Sequence, residues 1–167
     1  MKKMEEALKA MLDREAIRDL PARYCDLVWR NDIEGLVKLF TPDGEFSIVT
    51  PEQTMRAQGQ VELLDFYARG LAITPRPFIH NVVVELGKKG RATGRCYLDL
   101  RSAKRDMAWL GAGYYHDSYE KHRGVWKFAR REFFALRMED MPAEAAPAPK
   151  PKAAPRVKKA KAGKAEA

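Results

Sequence analysis

A chain of 167 residues has room for one hydrophobic core and not two, because domains usually run to about 100–200 residues. Its 46% hydrophobic and 32% charged residues are those of a globular protein, and no apolar run approaches the ~18–20 residues that cross a bilayer. Acidic residues in MKKMEEALKAMLDRE stand where a signal peptide carries its apolar segment, so a soluble, cytoplasmic protein with no membrane partner is expected. The net charge of +8 is concentrated at one end: residues 141–167 hold six Lys, one Arg and two Glu, a net of +5, which leaves +3 for residues 1–140.

From Met4 to about Arg30, Leu8, Met11, Ile17, Leu20, Tyr24 and Val28 recur at three- and four-residue steps, the pattern of an amphipathic helix. Pro21 interrupts it at a cost of about 3 kcal/mol, so a kink or a split into two helices is expected there. Asp32 is placed to cap a short helix from Ile33 to Phe40, which the TPDGEF stretch ends as a turn. A short strand follows around Glu45 to Val49. A third helix spans Gln58 to Gly70, with Val61, Leu64, Phe66, Tyr67 and Leu71 at helical spacing.

Beyond Pro77 the period changes to two, predicting strands near 78–87, 91–103, 106–121 and 124–136. The turns between them are short, so neighbouring strands pair antiparallel. Helices first and a meandering sheet afterwards define an α+β fold with the helices laid across one face of the sheet. Cys25 and Cys96 lack metal or redox spacing and read as reduced, buried thiols. From Met141 onward the chain is Ala, Pro and Lys with almost no large apolar side chain, and disorder is expected, giving one domain over 1–140 and a basic tail over 141–167. Such a tail either makes a weak, sequence-independent contact with nucleic acid through counterion release or is a solvated extension.

The stretches REAIRDLPARYCDLVWRNDIEGLVKLFTPDGEF, ATGRCYLDL and GAGYYHDSYEKHRGVWKFARR, in this order, resemble the SnoaL-like branch of the nuclear transport factor 2-like superfamily over about residues 10–136. That branch includes polyketide cyclases, scytalone dehydratase, a bile-acid dehydratase and a hexachlorocyclohexane dehydrochlorinase. The resemblance implies a cone-shaped curved sheet around an apolar pocket, closed by helices. It also implies a homodimer or homotrimer through the outer sheet face, no cofactor, and proton abstraction or elimination by a His supported by an Asp. By the same resemblance Tyr24 and Arg131 keep family positions. Trp29, Pro77 and Leu100 stand where relatives have the catalytic aspartate, the catalytic histidine and a second acidic residue.

Strict alternation through the strand beginning at Phe78 puts His80 on one face with Val82, Val84 and Leu86, the apolar and hence buried side. A buried histidine needs a partner, for which Tyr24, Asp26 or a neighbouring strand residue is available. His80 is either a base, with Tyr24 and Arg131 polarising a substrate carbonyl, or a hydrogen-bonded core histidine. Trp29, Asp26, Tyr115 and Phe78 are the candidate ligand-binding residues. Trp29 either stacks on a flat ligand at the pocket mouth or plugs the place of the missing aspartate. If Lys127, Ala129 and Arg131 face the pocket, Arg131 is placed to bind a carboxylate or enolate oxygen; the other reading is an ion pair with an Asp or Glu on an adjacent strand. His116 and His122 form no metal pattern, and no metal site is expected. The expected function is a cofactor-independent lyase or isomerase for a hydrophobic, carbonyl-bearing small molecule of polyketide or steroid type. The alternative is a relative that binds a ligand or pairs with another subunit without catalysis.

Overall fold

The computed structural model describes residues 1–71 and 75–139, so the tail over 141–167, with its expected disorder and nucleic-acid contact, lies outside the described residues. Helix α1 spans Lys2–Arg30 and runs on through Pro21. Its buried residues, Ile17, Leu20, Pro21, Tyr24, Cys25 and Val28, fall at steps of three, one, three, one and three along one face. Burying a large side chain stabilises by roughly 1.5–3 kcal/mol, so Ile17, Leu20, Tyr24 and Val28 together outweigh the ~3 kcal/mol that an interior proline costs. The helix is therefore neither split nor stopped at Pro21. Asn31, in the left-handed region at φ 57°, ends it, and the Asp32 carboxylate accepts from the Gly35 N–H at 2.8 Å to cap α2 (Ile33–Lys38).

Strands β1 (Phe40–Val49) and β2 (Thr54–Gln58) follow, then α3 (Gly59–Gly70), whose buried contacts are Leu63 and Tyr67 rather than Val61, which is exposed. The TPDGEF stretch is not a free turn. It is absorbed into β1 as a register shift between Phe40 and Glu45. Four longer strands complete the chain: β3 (Pro75–Leu86), β4 (Arg91–Ser102), β5 (Ala108–His122) and β6 (Val125–Met138), with a 3-10 turn at Ala103–Arg105. The six strands form one curved sheet in the order β2-β1-β6-β5-β4-β3, antiparallel except where β1 runs parallel to β6. With α1 laid against β3 and β6 and α3 against β1, this is the α+β cone with helices closing one side. Among the described residues, no helix is long and apolar enough to cross a membrane.

Two bulges decide which side chains face inward. In β3 the register shifts between His80 and Val83, and Asn81 takes a φ of 49°. Before the bulge Pro77 and Ile79 face the core; after it Val82 and Val84 do. His80 is thereby turned out, and the expectation that it shares a buried face with Val82, Val84 and Leu86 is corrected. In β6 the register shifts opposite Ser118 and Tyr119, so both Phe128 and Arg131 point inward. Arg131 therefore does not share a face with Lys127 and Ala129; Phe133 continues its face. Gly113 on β5 is required by close approach, since a Cβ there would lie 2.2 Å from the Phe134 carbonyl oxygen and 2.5 Å from the Phe133 ring.

The first turns of α1 leave Leu8 and Met11 more than half exposed, so the apolar stripe becomes a core face only from Ile17. What fixes this part of the helix is polar. Asp13 Oδ1 accepts from Lys121 Nζ at 2.6 Å and from the Trp126 indole N–H at 2.8 Å, joining α1 to the β5–β6 hairpin. The Lys121 hydrogen bond is the main cause that holds the Asp13 carboxyl below its ordinary value of 3.8. A lowered folded pKa means that this stabilisation is complete above 3.8 and is lost as pH falls through the folded value. Asp13→Asn is expected to cost about 1–2 kcal/mol near neutral pH. Urea unfolding of both proteins should show that difference shrinking on acidification.

Candidate functional site

Between the helices and the concave side of the sheet lies a cavity of about 750 Å³. Val28, Phe46, Ile48, Phe66, Leu100 and Phe133 give it apolar walls. Its exposed end carries Thr50, Glu52, Gln53, Arg137 and Glu139, and its buried end is made by Tyr24, Tyr67 and Tyr115, each 4% exposed or less. Helical spacing brings Tyr24 to the inner face of α1, and α3 presents Tyr67 opposite it. Strand alternation turns Tyr115 inward together with Asp117 and Tyr119.

The three phenols meet. The Tyr24 hydroxyl lies 3.2 Å from that of Tyr67 and donates to it, and the Tyr24 ring meets that of Tyr115 edge-on at 5.8 Å. Burial pushes the Tyr24 hydroxyl up to about 12, with Arg131 pulling the other way, and burial likewise raises Tyr67 and Tyr115 well above the ordinary phenol. At neutral pH all three are uncharged donors and not bases. The thiols behave alike, raised by burial to about 12 for Cys25 and about 11 for Cys96, and both cysteines are free and buried.

Behind the phenols sits Arg131, fully buried and not part of the cavity wall. Its guanidinium carbon lies 3.7 Å from the ring centre of Tyr115, 4.2 Å from that of Tyr24 and 4.6 Å from that of Phe128. Arg131 Nε is 3.3 Å from Oδ1 of Asp117, its register partner on β5, and Nη2 donates to the Cys96 sulfur at 3.5 Å. The approach to Asp117 is an ion pair without a hydrogen bond, and neither Nε nor Nη1 has a hydrogen-bond partner among the described residues. Burial raises the Asp117 carboxyl against the pull of Arg131, and the Tyr119 hydroxyl donates to its other oxygen at 2.9 Å. Of the two sequence readings of Arg131, the structure contains the ion pair with an acidic residue on the adjacent strand.

The remaining candidates lie elsewhere. His80 and Asp99 form an exposed pair on the outer face, Nε2 to Oδ2 at 3.3 Å, and the Trp109 indole donates to Asp99 Oδ1 at 3.3 Å. With Phe78, Arg101 and Met107 they line a shallow outer groove of about 310 Å³. Neither Tyr24 nor Asp26 is the partner of His80. Asp26 faces solvent beside Arg30 at 3.6 Å. Trp29, off the buried face of α1, neither lines the cavity nor plugs it: its indole donates to the Pro77 carbonyl at 3.0 Å and its ring meets Phe78 edge-on at 5.3 Å. Pro77 and Leu100 do line the cavity, as apolar groups. Tyr67, Asp117 and Tyr119 were not anticipated as site residues. For Asp117 and Tyr119 the signal was available, since both alternate with Tyr115 on one strand face. Among the described residues no cluster of His, Cys, Asp or Glu could hold a metal ion.

This architecture, a curved sheet wrapped around a cavity with helices closing it, is shared with solved proteins of cystatin-like fold, one of them named nuclear transport factor 2-like. The family profile of the SnoaL-like domain matches residues 9–132, and the chain belongs to that family. No curated protein matches the sequence. Among solved structures, a Mycobacterium tuberculosis protein of unknown function is 25% identical, with a TM-score of 0.70 over 79% of this chain and 76% of that one. A nuclear transport factor 2-like protein with a cystatin-like fold from Novosphingobium aromaticivorans is 24% identical, with a TM-score of 0.71 over 87% and 94%. A protein from the same organism named "Putative Scytalone Dehydratase" is 22% identical, with a TM-score of 0.69 over 82% and 93%. At the identities of the last two, the likeness is one of fold.

Removing one partner of a buried ion pair leaves the other charge uncompensated. Arg131→Met is expected to cost about 3–5 kcal/mol in chemical denaturation, and Arg131→Met combined with Asp117→Asn is expected to recover a large part of that loss.

Proposed function

We propose that the cavity binds a hydrophobic small molecule that presents a carbonyl or similar acceptor oxygen to the tyrosine end, and that binding is the activity the interior performs. The observation that carries this reading is a proton count. Three phenols hold three O–H protons, and the hydrogen bond between them, from Tyr24 to Tyr67, uses one. The Tyr67 O–H, whose oxygen accepts in that bond and which does not donate there, is left over at the buried end of an apolar cavity, where it gains most from a ligand oxygen. The walls accommodate a flat or polycyclic apolar body, in keeping with a polyketide- or steroid-like ligand.

A lyase or isomerase acting by proton abstraction is the second reading, favoured by the same donor, which suits a developing enolate oxygen. It requires a base within hydrogen-bond reach of the reacting carbon. The neutral phenols do not supply one, His80 lies on the other side of the sheet, and the carboxylates that line the cavity, Glu52 and Glu139, stand at its exposed end. This is why binding is placed first. We further propose self-association through the outer sheet face, where Tyr114 stacks on Phe134 at 5.0 Å and meets Tyr97 at 5.9 Å.

Two probes of one shape test the binding reading: 2-acetylnaphthalene and 2-isopropenylnaphthalene, which differ in carrying an oxygen or a methylene. Tyr67→Phe and Tyr24→Phe are expected to weaken the ketone by roughly 5–10-fold, the worth of one hydrogen bond, and to leave the hydrocarbon nearly unchanged. Equal affinity of the wild-type protein for both probes counts against the reading. His80→Ala is expected to change neither. Turnover of a carbonyl substrate that His80→Ala abolished would replace binding by catalysis. For self-association, Tyr114→Lys is expected to lower the mass measured by light scattering.

A further inference from the structure

Arg131 is an unusual group to find where it is. It is fully buried, it is not part of the cavity wall, and it sits against the faces of two of the three phenols that form the cavity's buried end. The aromatic faces that help to compensate its buried charge also set that charge against two phenols of the cavity's buried end. An arginine that contacted ligand directly would need to reach the cavity, and this one is screened from it by Tyr24 and Tyr115. Its charge is also unevenly compensated. Asp117 faces Nε at 3.3 Å, while Nη1 finds no hydrogen-bond partner among the described residues.

A cation on the face of a phenol withdraws electron density from the ring and stabilises the oxygen as its O–H bond lengthens, so the hydroxyl becomes a stronger donor. Through the Tyr24–Tyr67 hydrogen bond that gain is passed along, and it ends on the Tyr67 O–H that is left over for a ligand. We propose that Arg131 is a positioning residue that acts on the bound molecule through the rings of Tyr24 and Tyr115, strengthening the phenol donors with its guanidinium charge without touching the ligand. Asp117 sets how much of that charge the rings receive. The inference rests on the reading that a ligand oxygen meets the tyrosine end, and it adds the residue that sets the strength of that contact. The direction in which Arg131 acts on all three phenols, against the effect of their burial, agrees with it.

The test uses the full chain with 2-acetylnaphthalene carrying a carbon-13 carbonyl, read by the infrared stretch of the bound ketone, together with its affinity relative to 2-isopropenylnaphthalene. In the wild-type protein the stretch is expected below its value in a hydrocarbon solvent. Arg131→Gln should move it back toward that value and lower the ketone-to-hydrocarbon affinity ratio about threefold, a part of the roughly 5–10-fold that the whole hydrogen bond is worth. Arg131→Lys should restore part of both. Asp117→Asn frees the guanidinium charge and should move the stretch the opposite way, further from the hydrocarbon value. Should Arg131→Gln fail to fold, the Arg131→Gln/Asp117→Asn pair, which leaves no lone buried charge, is read in its place and should match the loss of shift. An unmoved stretch in the arginine variant or the pair, or a shift in the same direction for Arg131→Gln and Asp117→Asn, overturns the proposal as an effect of packing. A wild-type stretch at the hydrocarbon value, or one unchanged in Tyr67→Phe, overturns the tyrosine-end reading itself and the inference with it.

Discussion

A guanidinium buried in the middle of an antiparallel ladder is the constraint around which this interior is arranged. Taking a charge out of water costs several kcal/mol even after relaxation, and attraction to a single carboxylate does not by itself repay that for both ions. The compensation for Arg131 comes from three directions. The β5–β6 register sets Asp117 directly opposite, the Cys96 sulfur accepts from Nη2, and the faces of Tyr24, Tyr115 and Phe128 surround the cation. Each contact constrains an element: the helix must bring Tyr24 over the sheet, β6 must bulge so that Phe128 and Arg131 both turn inward, and β5 must carry acid and phenol on one face.

The sheet separates two chemistries. On its concave side every titratable group around the buried end of the cavity is held neutral by burial or paired, which leaves hydroxyls as donors and removes bases. On its convex side His80, oriented by Asp99 with Trp109 behind, is a solvent-facing pair of the kind that proton-transfer sites use, but it stands outside the cavity. Pro77 and Leu100, where the resemblance implies a catalytic histidine and a second acidic residue, are part of the apolar wall, and Trp29, where it implies the catalytic aspartate, braces α1 against β3. Pro77 and Leu100 thus add to the apolar lining of the cavity.

Much of this was legible from residue order. The period of α1 named the core face from Ile17 to Val28, Asp32 was recognisable as a cap, and the four long strands fall within a few residues of where alternation puts them. Membership of the SnoaL-like family followed from the motifs and is borne out over residues 9–132. Tyr24, singled out by the resemblance, and Tyr115 both line the cavity. The placement of His80 failed for a definite reason. Alternation assumes an unbroken pleat, and one extra residue at Asn81 reverses every side chain on one side of it. An asparagine inside an apolar run, the residue type other than glycine that most readily takes a positive φ, was the available hint.

Local pattern thus determined what each segment is: helix, cap or strand, and which of its faces is apolar, because these depend on neighbours a few residues away. Which charged groups are buried, that Arg131 meets Asp117 and two tyrosine faces, and that His80 finds Asp99 outside the cavity were decided only by the tertiary structure. Those outcomes turn on the registers of β3 with β4 and of β5 with β6, and a register is set by the packing of the whole sheet against its helices rather than by any one strand.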